Sequence, residues 1–209
     1  MKYFILMADI IASREKDQNE LMIDFKNIVN KINNTFREQL LSPLTITLGD
    51  EFQCVIKDLS SSTEIIIAIE ELIFKNNLTF KLRYILNQGI IETKINPSIA
   101  YEMLGSGLTD ARIALNKSKN QKIKFIVKID DLKKSEILNN AFLIFENITS
   151  KWDAQKDYKI VSNFIKFMDY KRVALDMNRT KSIMWKREKT LNIQAYFSTK
   201  KIIQIISTD

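Results

Sequence analysis

An apolar run at residues 3–8 opens the chain and ends on Asp9. A short run of this kind, bounded by turn residues, predicts a buried strand over 2–8. Leu21, Phe25, Ile28, Ile32, Phe36 and Leu40 then recur at three- and four-residue spacing. That spacing predicts an amphipathic helix over 18–40, opened by a capping box of Asp17 and Glu20 and broken at Ser42 and Pro43. Two short apolar stretches, 44–48 and 51–56, flank Gly49 and Asp50, the pattern of a hairpin. Ser61 and Glu64 read as a second capping box before a largely buried helix that ends near Phe74. Phe80, Leu82, Tyr84 and Leu86 alternate with Lys81 and Arg83, which predicts a half-buried strand over 79–86. Gly89 predicts a bend before a short strand over 90–93. A loop over 94–106, closed by Gly105 and Gly107, leads to a short helix over 108–119 and a last strand over 122–129.

The order is strand, helix, strand, strand, helix, strand, followed by further elements. This is the split pattern of ferredoxin-like α/β (α+β) folds. It places the end of the first strand beside the hairpin. From Ser135 the pattern becomes helical throughout, with Ile137, Ala141, Phe145, Ile148 and Trp152 on one face. Tyr158, Val161, Ile165 and Met168 continue on a second helix. A short helix over 171–177, a tight turn at Asn178 and Arg179, and a helix over 180–191 follow. Two domains are expected: a palm-like domain over 1–131 and a small all-α domain over 132–209.

Charge changes the picture of the second domain. The net charge of the 209 residues is +7. Residues 1–150 hold 19 basic and 19 acidic side chains, whereas residues 151–209 hold 13 and 6. The whole excess lies in the last segment, which points to a polyanion-binding tail. No run is long enough to span a bilayer. Asp9 interrupts the first apolar stretch, and no small-residue cleavage site follows it, so that stretch reads as a strand of a cytoplasmic protein.

Missing residue types narrow the chemistry. The chain has no histidine and one cysteine, Cys54. Histidine acid–base catalysis, serine–histidine triads, histidine metal sites and a structural zinc site are all excluded. What remains is chemistry on Asp, Glu, Lys, Arg, Ser, Thr or Tyr. Asp9 ends one strand, and Asp50 and Glu51 stand at the hairpin tip beside it. Carboxylates between buried strands are costly without a positive partner. One candidate partner is a divalent cation, Mg2+ or Mn2+; the other reading is a solvated acidic turn.

These stretches resemble a known superfamily. The sequence MADIIAS at 7–13 and TLGDEFQ at 47–53 resemble the two metal-binding stretches of nucleotidyl cyclases and GGDEF proteins, which share a palm-like core. The resemblance implies metal ligation by Asp9, the Ile10 carbonyl and Asp50. LRYILNQGII at 82–91 looks like the strand pair after the second helix, and GSGLTDAR at 105–112 like the later helix that serves the transition state. The candidate nucleotide contacts are Ser13 and Arg14, whose other reading is a plain turn, Arg112, whose other reading is an ordinary helix-surface arginine, and Glu51. Two positions depart from the cyclase pattern. Leu44, Thr45 and Ile46 stand where many cyclases carry an adenine-reading lysine, and Thr109 or Asp110 stands where they carry an asparagine. Efficient cyclisation is therefore not expected.

Over nearly its full length the chain resembles the SatD-like proteins, a cyclase-like domain followed by a helix-turn-helix. The stretch 170–187 fits the second part. Ala174 is the small residue where two helices approach, Asn178 takes the turn position usual for glycine, and Thr180 is an N-cap. Arg179 departs from that pattern, standing where an apolar residue is common. Lys181, Ser182, Trp185, Lys186 and Lys189 should face outward, with Ile183, Met184 and Leu191 inward and Arg187 open by spacing. Residues 171–189 hold seven basic and two acidic side chains, so Lys171 and Arg172 join the outward set as DNA contacts. The reading is a DNA-binding regulatory protein whose palm binds a divalent metal and a nucleotide. Two alternatives are an active nucleotidyl-transfer enzyme and a palm that serves only as a dimerisation scaffold. Each is compatible with a homodimer.

Overall fold

A computed structural model describes residues 1–15 and 17–208, with Arg14 described by its backbone alone. β1 (Lys2–Ile10) leads through one turn of 3-10 helix (Ser13–Glu15) into α1 (Gln18–Thr35). β2 (Leu40–Ile46), β3 (Glu51–Ile56), α2 (Leu59–Lys75), β4 (Leu82–Ile90), α3 (Ser106–Gln121) and β5 (Phe125–Lys128) follow. The five strands form one sheet in the order β2-β3-β1-β4-β5. Neighbours among the first four are antiparallel, and β5 runs parallel to β4. This is the split ferredoxin-like arrangement, with β1 and β3 central.

Alternation along β1 builds both faces of the sheet. Leu6, Ala8 and Ile10 pack with Phe25, Phe52 and Tyr84 beneath α1 and α2. Ile5 and Met7 pack with Ile85, Ala111 and Leu115 beneath α3. The odd-numbered face, covered by α3 and the 91–105 loop, is the one that receives Asp9.

Five helices complete the chain: α4 (Leu132–Thr149), α5 (Ala154–Phe167), α6 (Tyr170–Asp176), α7 (Lys181–Thr190) and α8 (Ile193–Thr208). Asp131 caps α4 by accepting from the Lys134 amide at 2.9 Å. α4 joins the palm core through Phe142, whose ring stacks on Phe125 of β5 with centroids 5.0 Å apart. α8 lies against α2 and α4: Tyr196 donates to Glu71 at 2.6 Å, and Thr63 meets Ser207 at 3.0 Å. The apolar core runs unbroken from the palm into these helices.

Several elements differ from the expectation. α1 ends at Thr35, not at residue 40, because the Phe36 amide closes on Ile32 and the chain then enters β2. Leu40 continued the helical stripe by spacing but begins a strand. Pro43 does not break a helix; it sits within the edge strand β2, in the register shift between Ser42 and Thr45 where a missing amide is tolerated. The cap of α2 is Asp58, which accepts from the Ser61 amide at 2.7 Å, and Ser61 itself is inside the helix. β4 runs straight through Gly89, and residues 91–105 form no strand. Gly89 is there for close approach: a Cβ on it would lie 2.4 Å from the Gly107 Cα. Met168, expected on the inner face of α5, is the exposed cap of that helix with a left-handed backbone.

Candidate functional site

The end of β1 carries the charged centre of the palm. In the antiparallel register Asp9 lies opposite Glu51 of β3 and opposite Arg83 of β4. Opposed residues on neighbouring strands share a face, and here that face is roofed by α3. Arg112 and Lys119 stand seven residues apart on α3, two helical turns, and so reach down from one side of it.

The contacts close into a network. The Arg83 guanidinium donates to both Asp9 oxygens, at 3.2 and 3.1 Å. Lys119 Nζ lies 3.3 Å from Asp9 Oδ2 and 3.0 Å from Glu51 Oε1. Arg112 pairs with the other oxygen of Glu51. Asp9, Glu51 and Arg83 are all buried, and the Nε of Arg83 has no hydrogen-bond partner. Burial pushes the Asp9 carboxyl above its ordinary value, against the pull of Arg83 and Lys119. Burial works to lower Lys119, but its bonds and attraction to Glu51 and Asp9 outweigh this and raise it.

Asp50 belongs to a different set of contacts. Gly49 takes the left-handed turn conformation, φ 84°, that glycine reaches without strain. Asp50 then accepts from the Ile10 amide through its carbonyl, at 2.9 Å, and from the Ser13 hydroxyl through its carboxylate, at 2.6 Å. The expected nucleotide residues Ser13, Glu51 and Arg112 are thus each bonded within the chain, while the side chain of Arg14 lies outside the described residues.

The donor set does not fit a resident Mg2+ or Mn2+ between Asp9 and Asp50. Asp9 already faces two cations of the chain, and Asp50 is turned to Ser13. Among the described residues no three acidic or cysteine side chains are gathered as a metal set. Pattern reading missed Arg83 and Lys119. Arg83 was placed on a solvated face by its alternation with apolar residues, yet it is only 7% exposed. The signal available was the seven-residue spacing of Arg112 and Lys119 on one helix, facing an acidic strand end.

The second candidate site is the helical segment after α4. α5, α6 and α7 pack around Val161, Phe164, Val173, Ala174 and Met184. The turn between α6 and α7 has Asn178 at φ 49°, and the Arg179 amide reaches back to the Ala174 carbonyl at 2.8 Å. Thr180 caps α7 by accepting from the Ile183 amide. α7 faces inward through Met184, Arg187, Glu188 and Leu191, a stripe at positions i, i+3, i+4 and i+7. Arg187 is therefore an inward residue, paired with Asp157 of α5. Ile183, expected inside, lies off this stripe and is 47% exposed. Lys181, Ser182, Trp185, Lys186 and Lys189 are exposed on α7, as are Lys171 and Arg172 on α6.

Among the described residues no helix is long and apolar enough to cross a membrane. No curated protein matches the sequence. Similar solved structures include a bacterial light-regulated adenylyl cyclase, at 13% identity and TM-score 0.43, covering 60% of this chain and 74% of that one. Another is the catalytic core of a rhodopsin-guanylyl cyclase with converted specificity, in complex with ATPalphaS. It has 14% identity and TM-score 0.41, covering 55% of this chain and 71% of that one. The guanylyl cyclase Cya2 matches at 11% identity and TM-score 0.37, covering 56% and 70%. At these identities and scores the likeness says nothing about activity. A family model described as SatD family matches residues 3–206.

Proposed function

The chain belongs to the SatD family, and we propose that it is a regulatory protein that binds DNA through α5 to α7, mounted on a cyclase-like palm. The observation that supports this is the outward face of α7. Lys181, Ser182, Trp185, Lys186 and Lys189 are exposed on it, and Lys171 and Arg172 are exposed on the preceding helix, with Lys171 Nζ over the Tyr170 ring. Such a face neutralises phosphates and releases their counterions, so affinity falls as salt rises. Fluorescence anisotropy of the full chain with a labelled duplex tests it. Binding at low salt should weaken with a log–log slope of about −0.9 per phosphate contacted. A folded chain that does not bind duplex at low salt, or binds without salt dependence, would refute it.

A second reading concerns the palm. Three cations, Arg83, Arg112 and Lys119, meet only two carboxylates, Asp9 and Glu51, and a buried guanidinium nitrogen is left unbonded. This surplus of positive donors suits a phosphate-bearing ligand such as a nucleotide better than it suits a metal ion. Titration calorimetry with ATP and GTP in the presence of EDTA separates the possibilities. Heat of binding without metal supports the reading; binding only on addition of Mg2+, or none at all, goes against it.

A further inference from the structure

A cavity of about 140 Å3 lies where the palm meets the C-terminal helices. α2 contributes Glu70, Glu71 and Phe74 to its wall, α4 contributes Glu146, the link after α4 contributes Trp152, and α8 contributes Tyr196. The Trp152 ring lies 5.3 Å from Phe74 and 4.9 Å from Tyr196, centroid to centroid. The three rings therefore form one continuous surface. The cavity is close in size to one that holds a single benzene ring, roughly 150 Å3.

The carboxylates differ in how they are used. Glu70 accepts from Tyr84 at 2.9 Å and pairs with Lys124. Glu71 accepts from Tyr196 at 2.6 Å and pairs with Lys200. Glu146, half-buried beside them, has neither an ion pair nor a side-chain hydrogen bond among the described residues. Lys81 and Lys124 also line the cavity, but Lys124 is held by Glu70, and Lys81 is exposed without reaching Glu146 as an ion pair. Burial pushes the Glu146 carboxyl upward, with Glu70 adding to the rise and the two lysines opposing it. A carboxylate that Lys81 and Lys124 attract without pairing to it, beside the rings of Phe74 and Trp152 in a space of about ring size, matches the charge and shape of an organic ammonium.

We propose that this cavity binds a small organic cation, an ammonium carried on one ring or a short alkyl body. Glu146 is its counter-ion, and Phe74 and Trp152 are its π surface, the Tyr196 ring behind them already carrying Lys200 at 5.4 Å. The site touches the DNA-facing segment directly: Trp152 donates its indole N–H to the carbonyl of Leu191, which ends α7, at 2.9 Å. Occupancy of the cavity is thereby felt at the end of α7; a consequence for DNA binding rests on the reading given above, whereas the binding itself does not.

Benzylamine is the probe for this site, and Trp152 is the reporter. The chain has two tryptophans, so the exposed Trp185 is replaced in a Trp185→Phe background. Titration of that protein at neutral pH with benzylamine should change Trp152 emission along a saturable curve. Glu146→Gln in the same background should weaken binding about tenfold or more while keeping a cooperative melt. Benzyl alcohol, which has the same body without charge, should bind more weakly by a similar factor. An emission trace without saturation, an affinity unchanged in Glu146→Gln, or equal binding of the alcohol each overturns the proposal. None of these readouts uses DNA, so failure here and failure of the DNA reading are seen separately.

Discussion

The Arg83 guanidinium grips both carboxylate oxygens of Asp9 across the β1–β4 pair, with both side chains buried beneath α3. Ion pairs in such places contribute little net stability, yet removing one partner strands a buried charge. Asp9→Asn and Arg83→Met should each cost about 3 kcal/mol in urea unfolding. The double variant Asp9→Asn with Arg83→Met should lose less than the sum of the singles, because neither charge is left alone. Additive losses would mean that the two side chains act independently.

The metal expectation gives a separate outcome. Asp9 is occupied by Arg83 and Lys119, and Asp50 by Ser13. Millimolar Mg2+ or Mn2+ should therefore leave the melting temperature of the protein unchanged, and Asp50→Asn should respond to metal no differently. A clear metal-dependent rise that Asp50→Asn abolishes would restore the Asp9–Asp50 pair as a metal site.

Much of the palm was legible because its signals are local. The hairpin at Gly49 and Asp50 and the cap at Asp17 each depend on a few adjacent residues. What failed depended on distant partners. Leu40 fits the helical stripe of α1 by spacing, but pairing with Ile56 draws it into β2. Arg83 reads as a solvated strand residue until α3, more than twenty positions later, is folded over it. The turn from α6 into α7 was legible in Asn178 and Thr180, whereas the exposure of Ile183 was not, because the packed stripe is set by contacts with α6 and α8.

Gly89 and Gly107 meet backbone to backbone where β4 passes α3. A methyl group on Gly89 would lie 2.4 Å from the Gly107 Cα, and backbone atoms cannot move aside as a side-chain tip can. Gly89→Ala should destabilise the fold by about 2 kcal/mol or more, measured by chemical denaturation. An unchanged midpoint would show that α3 shifts freely over the sheet.

Burial raises the Glu146 carboxyl above its ordinary value of 4.5. The folded state thus favours the protonated form, and that contribution is present below pH 4.5 and lost as pH rises through the folded value. At pH 7.5 the wild type carries a penalised charge that Glu146→Gln lacks. The variant should melt at a higher temperature than the wild type near neutral pH, and the gap should close as the pH falls toward 4.5. A gap that stays constant with pH would remove titration of Glu146 as its cause.

Lys186 and Arg187 are neighbours in sequence with opposite surroundings. Lys186 is exposed on α7, while Arg187 turns inward to Asp157 of α5, itself bonded to the Asp153 amide that starts that helix. The two substitutions should therefore part company in two measurements. Lys186→Ala should leave the melt unchanged and weaken a preferred duplex by about 1–3 kcal/mol if it meets a base edge. If it meets a phosphate instead, the loss should be uniform across sequences and the salt slope should fall by about one. Arg187→Ala leaves Asp157 buried without its cation, so it should lower the melting temperature. Its effect on DNA should follow from loss of the folded fraction, with the salt slope of the remaining folded protein intact. A salt slope reduced by Arg187→Ala and untouched by Lys186→Ala would mean that α7 presents a different face to DNA than the one exposed here.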